Sequence, residues 1–186
     1  MHSASNIVLI GPMGAGKSAL GRRIASHFAL RFVDTDALIE QHTGTSIPII
    51  FDVEGEDGFR AREKAIISEV CALHGQVIAT GGGAVLDSEN QYAIKQAGLV
   101  VYLRVSLAEQ IRRVANDRNR PLMATADPAE RLQQLAQQRD PIYQGLADLR
   151  FTTDAMNAEA ASERVITRLA GLPRLQHLIA RKDELQ

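Results

Sequence analysis

Hydrophobic and polar positions follow two different patterns along this chain. Five short, mostly apolar runs are rich in β-branched residues and stop at a glycine or a polar residue, which predicts buried strands. These strands are predicted at 7–10, 31–34, 76–79, 99–103 and 149–152. Between the runs, apolar residues recur every three or four positions, which is the spacing of amphipathic helices. The helices are predicted at 17–29, 37–41, 46–53, 56–73, 88–96, 107–114, 128–148 and 158–169.

The alternation of strands and helices predicts the fold class. It indicates an α/β fold in which five strands form a parallel sheet and helices cover both of its faces. In such folds ligands bind beyond the carboxyl ends of the strands, so candidate chemistry is expected just after each strand. One polar segment, 116–127, contains two asparagines and a proline and is long for a connector, which indicates a functional loop.

Length and composition narrow the class of protein. The chain has 186 residues, 45% of them hydrophobic and 23% charged, as expected of one soluble globular domain. We expect a single domain over 1–171 and a peripheral tail over 172–186. The net charge of −1 and the lack of long apolar runs argue against nucleic acid and membrane as partners. Cys71 is the one cysteine, which we expect to be a buried, inert thiol in a cytoplasmic protein.

The clearest motif is GPMGAGKS, residues 11–18, which fits the phosphate-binding pattern G-x-x-x-x-G-K-[ST]. It lies between a predicted strand and a predicted helix, the context in which this pattern binds a nucleoside triphosphate. Glycines let backbone N–H groups approach phosphate oxygens, and the helix N-terminus adds unpaired donors. Lys17 is placed to contact the terminal phosphates, and the hydroxyl of Ser18 to bind Mg²⁺.

Two carboxylates follow the second strand. Among the predicted strands, only 31–34 ends in an acid, so Asp34 is the candidate acid on the metal side, acting through a bound water. Asp36 comes two residues later and has two interpretations. It could accept the proton of a substrate hydroxyl, or it could cap the helix predicted at 37–41.

Further motifs follow in order along the chain. They are Asp34-Thr35-Asp36, Phe51, Gly55-Glu56, Phe59-Arg60-Ala61-Arg62-Glu63, Gly81-Gly82-Gly83, Arg120-Pro121-Leu122, Arg139, Pro141 and Tyr143. With the phosphate-binding motif, this set resembles the shikimate kinases, a family with the nucleoside-monophosphate-kinase-like P-loop fold. The resemblance spans residues 11–143. It departs from the family at Met123, where a leucine is more common, and over 152–156, which lacks an arginine that some members carry.

The resemblance implies a fold, an activity and a set of ligands. The fold would be a three-layer α/β/α P-loop kinase fold with a central five-stranded parallel sheet and a mobile lid over about 113–127. The enzyme would transfer the γ-phosphoryl group of ATP to the 3-hydroxyl of shikimate, with Mg²⁺ as cofactor, and would act as a monomer in the cytoplasm. Asp36 would then hold ring hydroxyls, whether or not it also takes up the proton.

The resemblance also implies roles for individual residues. The ATP contacts would be Gly14, Ala15, Gly16, Lys17, Ser18, Ala19, Arg113 and Arg120. The shikimate contacts would be Asp36, Arg60, Gly81, Gly82, Gly83 and Arg139. Lys17, Asp36 and Arg120 would be catalytic, and Ser18 and Asp34 would serve the metal. Phe51 and Phe59 would wall the pocket, and Glu63 would orient the arginines.

Several alternatives stay open at this point. Arg60 and Arg139 lie in polar helices and could be solvated surface residues. The acceptor could be another small hydroxy acid such as gluconate. The chain could be a nucleotide switch, although it contains no N-K-x-D guanine motif, or a binding module that has lost activity.

Overall fold

The central element is a five-stranded sheet whose strands are all parallel. A computed structural model of the chain describes residues 5–115, 127–154 and 157–175. The strands are β1 Asn6–Ile10, β2 Arg31–Asp34, β3 Gln76–Ala79, β4 Gly98–Arg104 and β5 Leu149–Thr152. They lie in the order β2-β3-β1-β4-β5. The five predicted strands and their parallel arrangement are thereby confirmed.

Seven α-helices connect or follow the strands in the described residues. They are α1 Lys17–Phe28, α2 Thr35–Thr43, α3 Ile47–Ala72, α4 Ser88–Ala97, α5 Leu107–Val114, α6 Pro128–Leu146 and α7 Ala158–Ala170. α3 runs through the region where two helices were predicted. Gly55 interrupts it with φ 72° and ψ −175°, a conformation that glycine adopts without strain. Both predicted helices are therefore present, joined at this kink without a loop.

Side chains of the central strand β1 point alternately to the two faces of the sheet. Ile7 and Leu9 pack with residues of α1 and α7, whereas Val8 and Ile10 pack with residues of α2, α3, α4 and α6. The strands β1, β3 and β4 are buried on both faces, which is why they read as nearly continuous apolar runs, whereas the outer strands β2 and β5 are partly exposed. This arrangement confirms the predicted three-layer α/β/α fold.

Two predicted segments are described only in part. Of the predicted lid, about 113–127, the structure describes 113–115 and Asp127, and Arg120 lies outside the described residues. Of the predicted tail, 172–186, it describes 172–175. Leu175 is buried in the core between the sheet and helices α1 and α7. Within the described residues, no helix combines the length and the apolar character needed to cross a membrane.

Candidate active site

The loop between β1 and α1 has the backbone of a phosphate-binding site. Gly14 and Gly16 have φ values of 76° and 89°, which side chains with a Cβ rarely adopt. Gly16 is the residue that precedes α1, and no side chain in the described part of the protein caps the first turn of this helix. The N–H groups of that turn therefore point toward the loop and can bind an anion.

Lys17 and Ser18 begin α1 and contact different partners. The Nζ atom of Lys17 donates to the carbonyl oxygens of Gly11 and Pro12, at 2.7 and 2.9 Å, so the ammonium group lies over the loop. The hydroxyl of Ser18 donates to Oδ2 of Asp34 at 2.5 Å. The start of α1 and the end of β2 therefore place two side-chain oxygen atoms, Oγ of Ser18 and Oδ2 of Asp34, next to each other.

Asp34 also caps α2, which corrects one of the two interpretations of Asp36. Its Oδ1 accepts hydrogen bonds from the backbone N–H groups of Asp36 and Ala37, at 3.1 and 3.4 Å. The helix begins at Thr35, two residues earlier than predicted, so Asp36 lies inside the first turn. The capping interpretation of Asp36 is wrong, because Asp34 occupies the cap position.

Four charged side chains surround the triple glycine, residues 81–83. A Cβ placed on Gly81 would lie 2.6 Å from Oδ1 of Asp36 and 2.7 Å from Oε1 of Glu63. A Cβ on Gly83 would lie 2.5 Å from Nη2 of Arg60, and one on Gly82 would lie 3.7 Å from Nη1 of Arg139. These residues come from α2, α3 and α6. The fold therefore brings together the six residues that the sequence predicted as the substrate site.

The two arginines of this cluster are partly or fully buried. Nη1 of Arg60 forms an ion pair of 2.7 Å with Glu63, and Nη2 one of 2.9 Å with Glu56. Arg139 is only 4% exposed, and its buried Nε donates to no described residue. A buried guanidinium group with a donor to spare is suited to bind a carboxylate. The alternative of a solvated surface residue is therefore wrong for Arg139, whereas Arg60 is partly buried and held by its two ion pairs.

Burial and mutual charge shift the pKa values of the cluster. Burial raises the pKa of the Glu63 carboxyl, and the Arg60 guanidinium partly offsets that rise. Burial lowers the pKa of Arg139, and the positive charge of Arg60 adds to the effect. For Arg60 burial also acts to lower the pKa, but the charges of Glu63 and Glu56 outweigh it and raise the pKa. The site is thus a partly desolvated cluster in which the buried guanidinium of Arg139 can pair with an added carboxylate.

A cavity of about 250 Å³ borders the phosphate-binding loop. Its lining includes Gly14, Ala15, Gly16, Ala19, Arg113 and Thr153. Nη1 of Arg113 donates to the carbonyl oxygen of Gly14 at 3.0 Å, and Nη2 to that of Thr153 at 2.7 Å. Arg113 therefore connects the phosphate-binding loop to the segment after β5, along one wall of this cavity.

Comparison with known proteins decides the family. A family model described as shikimate kinase matches residues 13–170. The shikimate kinase of Pseudomonas syringae pv. syringae (strain B728a) is 52% identical over 168 residues, which are 90% of this chain and 98% of that protein. The chain belongs to the shikimate kinase family. The shikimate kinase of Stenotrophomonas maltophilia (strain R551-3) is 48% identical over 180 residues, covering 97% of this chain and 100% of that protein.

A solved member of the shikimate kinase family has the same fold. The shikimate kinase from Acinetobacter baumannii, determined in complex with shikimate, superposes with a TM-score of 0.87 at 39% identity. The match covers 90% of this chain and 93% of that one. Like other members of the family, the present chain is therefore an ATP-dependent kinase with an α/β fold.

The sequence did not predict two hydrogen bonds that hold the triple glycine in this enzyme. The hydroxyl of Thr35 accepts a hydrogen bond from Gly81 N–H, and the hydroxyl of Tyr143 donates to the carbonyl oxygen of Gly82. Thr35 and Tyr143 both belong to the motifs named in the sequence, but no role was predicted for either residue. The only signal in the sequence is that each lies close to a predicted substrate contact, Asp36 or Arg139.

Proposed function

We propose that this enzyme transfers the γ-phosphoryl group of ATP to the 3-hydroxyl of shikimate, giving shikimate 3-phosphate and ADP. This reaction is a step of chorismate and aromatic amino-acid biosynthesis. The observation that carries the proposal is the convergence of Arg60, Arg139 and Asp36 on the triple glycine, beside a phosphate-binding loop. Two guanidinium groups suit a carboxylate, and a carboxylate suits ring hydroxyls.

The phosphate side of the reaction rests on residues 14–19. The backbone N–H groups of the loop and the first turn of α1 would hold the phosphates, and Lys17 would neutralise charge on the β- and γ-phosphates. The hydrogen bonds from Lys17 to the carbonyl oxygens of the loop that follows β1 support this role, because they keep the ammonium group beside that loop. Arg113 would contact the nucleotide beside the cavity that it lines. Arg120, outside the described residues, stays a predicted contact that reaches the phosphates when the lid closes.

The acceptor side rests on the charged cluster. Arg60 and Arg139 would bind the carboxylate of shikimate, and the backbone of Gly81, Gly82 and Gly83 would approach its ring. Asp36 would accept a hydrogen bond from the hydroxyl that attacks, and would either orient it or take up its proton. Glu63, which is 1% exposed and paired with Arg60, would keep that guanidinium in place. Catalysis then consists of positioning and electrostatic stabilisation.

Ser18 and Asp34 fit the requirements of a Mg²⁺ site. Their oxygen atoms are 2.5 Å apart, and both types of oxygen are ligands that Mg²⁺ accepts. Mg²⁺ commonly takes one or two protein ligands and completes its shell with phosphate oxygens and water. A bound Mg²⁺ would neutralise charge on the transferred phosphoryl group. Ser18 would bind the ion directly, and Asp34 through water.

A substrate panel tests the proposal. Purified protein with ATP and Mg²⁺ should release ADP at a rate that rises strongly and saturates with shikimate, and gluconate should not replace it. GTP in place of ATP tests the nucleotide-switch alternative. ATP binding without stimulation by shikimate would leave the phosphate-binding loop in place and reject the acceptor. Saturation with gluconate would assign the site to that hydroxy acid. The monomeric state, the cytoplasmic location and the single domain with its lid stay predictions.

A further inference from the structure

The triple glycine is held by two side-chain hydroxyl groups from different helices. The hydroxyl of Thr35, in the first turn of α2, accepts a hydrogen bond from Gly81 N–H at 3.1 Å. The hydroxyl of Tyr143, in α6, donates to the carbonyl oxygen of Gly82 at 2.5 Å. Thr35 and Tyr143 are 0% and 1% exposed, so water does not compete for either hydrogen bond.

Each of these hydroxyl groups belongs to a residue beside a proposed substrate contact. Thr35 directly precedes Asp36, and Tyr143 follows Arg139 by four residues, one turn along α6. The triple glycine therefore connects the helix that carries the proposed hydroxyl contact with the helix that carries the proposed carboxylate contact. A change in its position would alter both contacts at once.

We infer that Thr35 and Tyr143 are positioning residues that fix the triple glycine against Asp36 and Arg139 and so set the affinity for the acceptor. The inference rests on the proposed function, because it assigns these hydroxyls to the acceptor side of that reaction. Neither residue touches the substrate. Thr35 acts through the backbone of residues 81–83. Tyr143 acts through the same backbone and also directly, through a side-chain hydrogen bond with Arg139.

The surroundings of Tyr143 keep its hydroxyl a hydrogen-bond donor. Burial raises the pKa of this phenol, so it stays protonated over the pH range of an enzyme assay. Its ring stacks on Tyr102, with the ring centroids 5.0 Å apart. The hydroxyl of Tyr102 instead donates to Asp140. The two tyrosines share one stack but have different partners, so Tyr102→Phe is a matched control for Tyr143→Phe.

Thr35 has a matched control as well. Thr80 is a buried threonine that directly precedes the triple glycine, and its hydroxyl donates to the carbonyl oxygen of Leu9 at 3.3 Å. Thr80→Val and Thr35→Val both keep the branched shape and remove one buried hydroxyl. Only the second change removes a hydrogen bond to the triple glycine.

The experiment compares these four variants with the wild-type enzyme. Tyr143→Phe and Thr35→Val should each raise the shikimate KM about threefold to tenfold, the range expected for the loss of one hydrogen bond. The ATP KM and kcat should stay unchanged. Tyr102→Phe and Thr80→Val should leave all three constants unchanged. Each of the four variants loses at least one hydrogen bond, so a lower Tm is expected throughout, and only the KM split distinguishes positioning from stability. Backbone amide exchange at 81–83 should be faster in Tyr143→Phe than in Tyr102→Phe.

The outcomes separate this inference from the proposed function. An active wild-type enzyme whose shikimate KM does not change in Tyr143→Phe or Thr35→Val would overturn the inference alone. Equal rises in the shikimate and ATP KM would indicate general loosening and would overturn it too. A wild-type protein without shikimate-dependent ADP release would overturn the proposed function, and the inference with it. Thr35→Val tests the same segment from its other side if Tyr143→Phe does not fold.

Discussion

Replacing Gly81 by alanine adds one methyl group between two carboxylates of the proposed acceptor site. The new Cβ would lie 2.6 Å from Oδ1 of Asp36 and 2.7 Å from Oε1 of Glu63, whereas ordinary contact begins at 3.4 Å. Either the two carboxylates or the backbone of residue 81 must therefore move by about 0.7–0.8 Å. The backbone of Gly81 does not lie in the left-handed region, so the cost comes from this contact rather than from φ.

The displacement predicts a loss on the acceptor side only. A misplacement of about 1 Å in an active site costs on the order of 100-fold, so Gly81→Ala should lower kcat/KM for shikimate about 10- to 100-fold. The ATP KM should change little, because the phosphate-binding loop does not contact the new methyl group. The assay is ADP release with shikimate varied at saturating ATP, and then with ATP varied at saturating shikimate.

Gly145→Ala is the matched control. A Cβ on Gly145, in α6, meets no described atom within 4 Å, so this variant should keep full activity. It should also raise stability by about 0.5–1 kcal/mol, as alanine does in place of glycine within a helix. Folded Gly81→Ala protein with unchanged kcat/KM for shikimate would refute the placement of Asp36 and Glu63 around the triple glycine.

Three further predictions follow from the charged and buried groups. Lys17→Ala should lower kcat about 100-fold or more, the scale for loss of one preorganised charge contact, and a smaller loss in ADP release would contradict its assigned role. Arg139→Ala should raise the shikimate KM far more than the ATP KM, and equal rises would show that it does not bind the acceptor. Burial raises the pKa of the Cys71 thiol to about 11, above its ordinary value near 9. At pH 8 only about one thiol in a thousand is then ionised, so a disulfide reagent should label the folded protein far more slowly than the urea-unfolded chain. Labelling should speed up as pH rises toward 11, and equally fast labelling of both forms at pH 8 would contradict the raised pKa of this half-buried thiol.

The local pattern was sufficient to predict where the strands lie, but it did not predict their order in the sheet. The strands β1, β3 and β4 are buried on both faces and are mostly apolar, so their runs are visible in the sequence without knowledge of their neighbours. The kink at Gly55 also has a local cause, which is why the two predicted helix segments are present on its two sides. The first residue of α2 could not be predicted from the sequence, because Asp34 and Asp36 are both able to cap a helix. Only the backbone conformation shows that Asp34 is the capping residue.

Contacts between distant residues could not be predicted in the same way. Thr35 and Gly81 are 46 positions apart, and Tyr143 and Gly82 are 61 apart. Threonine and tyrosine are common in ordinary cores, so nothing in their local sequence indicates a partner. Asn6 is a similar case. Its buried amide donates to the carbonyl oxygen of Leu73 and accepts from Gln76 N–H, which joins β1 to the start of β3.

The charged cluster around the triple glycine could be predicted only in part. The resemblance to shikimate kinases predicted Arg60, Arg139 and Asp36 as one site, but their residue types alone indicated a solvated surface. Their burial follows from the way in which α3 and α6 pack against the same face of the sheet as β1 residues Val8 and Ile10. That packing is a property of the whole fold.

The proposed reaction transfers the γ-phosphoryl group of ATP to one hydroxyl of shikimate. Proton–phosphorus correlation NMR of the reaction mixture tests it most directly, because it identifies the carbon that bears the new phosphate. We expect a single phosphate ester at the 3-position, formed in equal amount to ADP and absent when shikimate is omitted. ADP formed without an ester, or an ester at another hydroxyl, would contradict it.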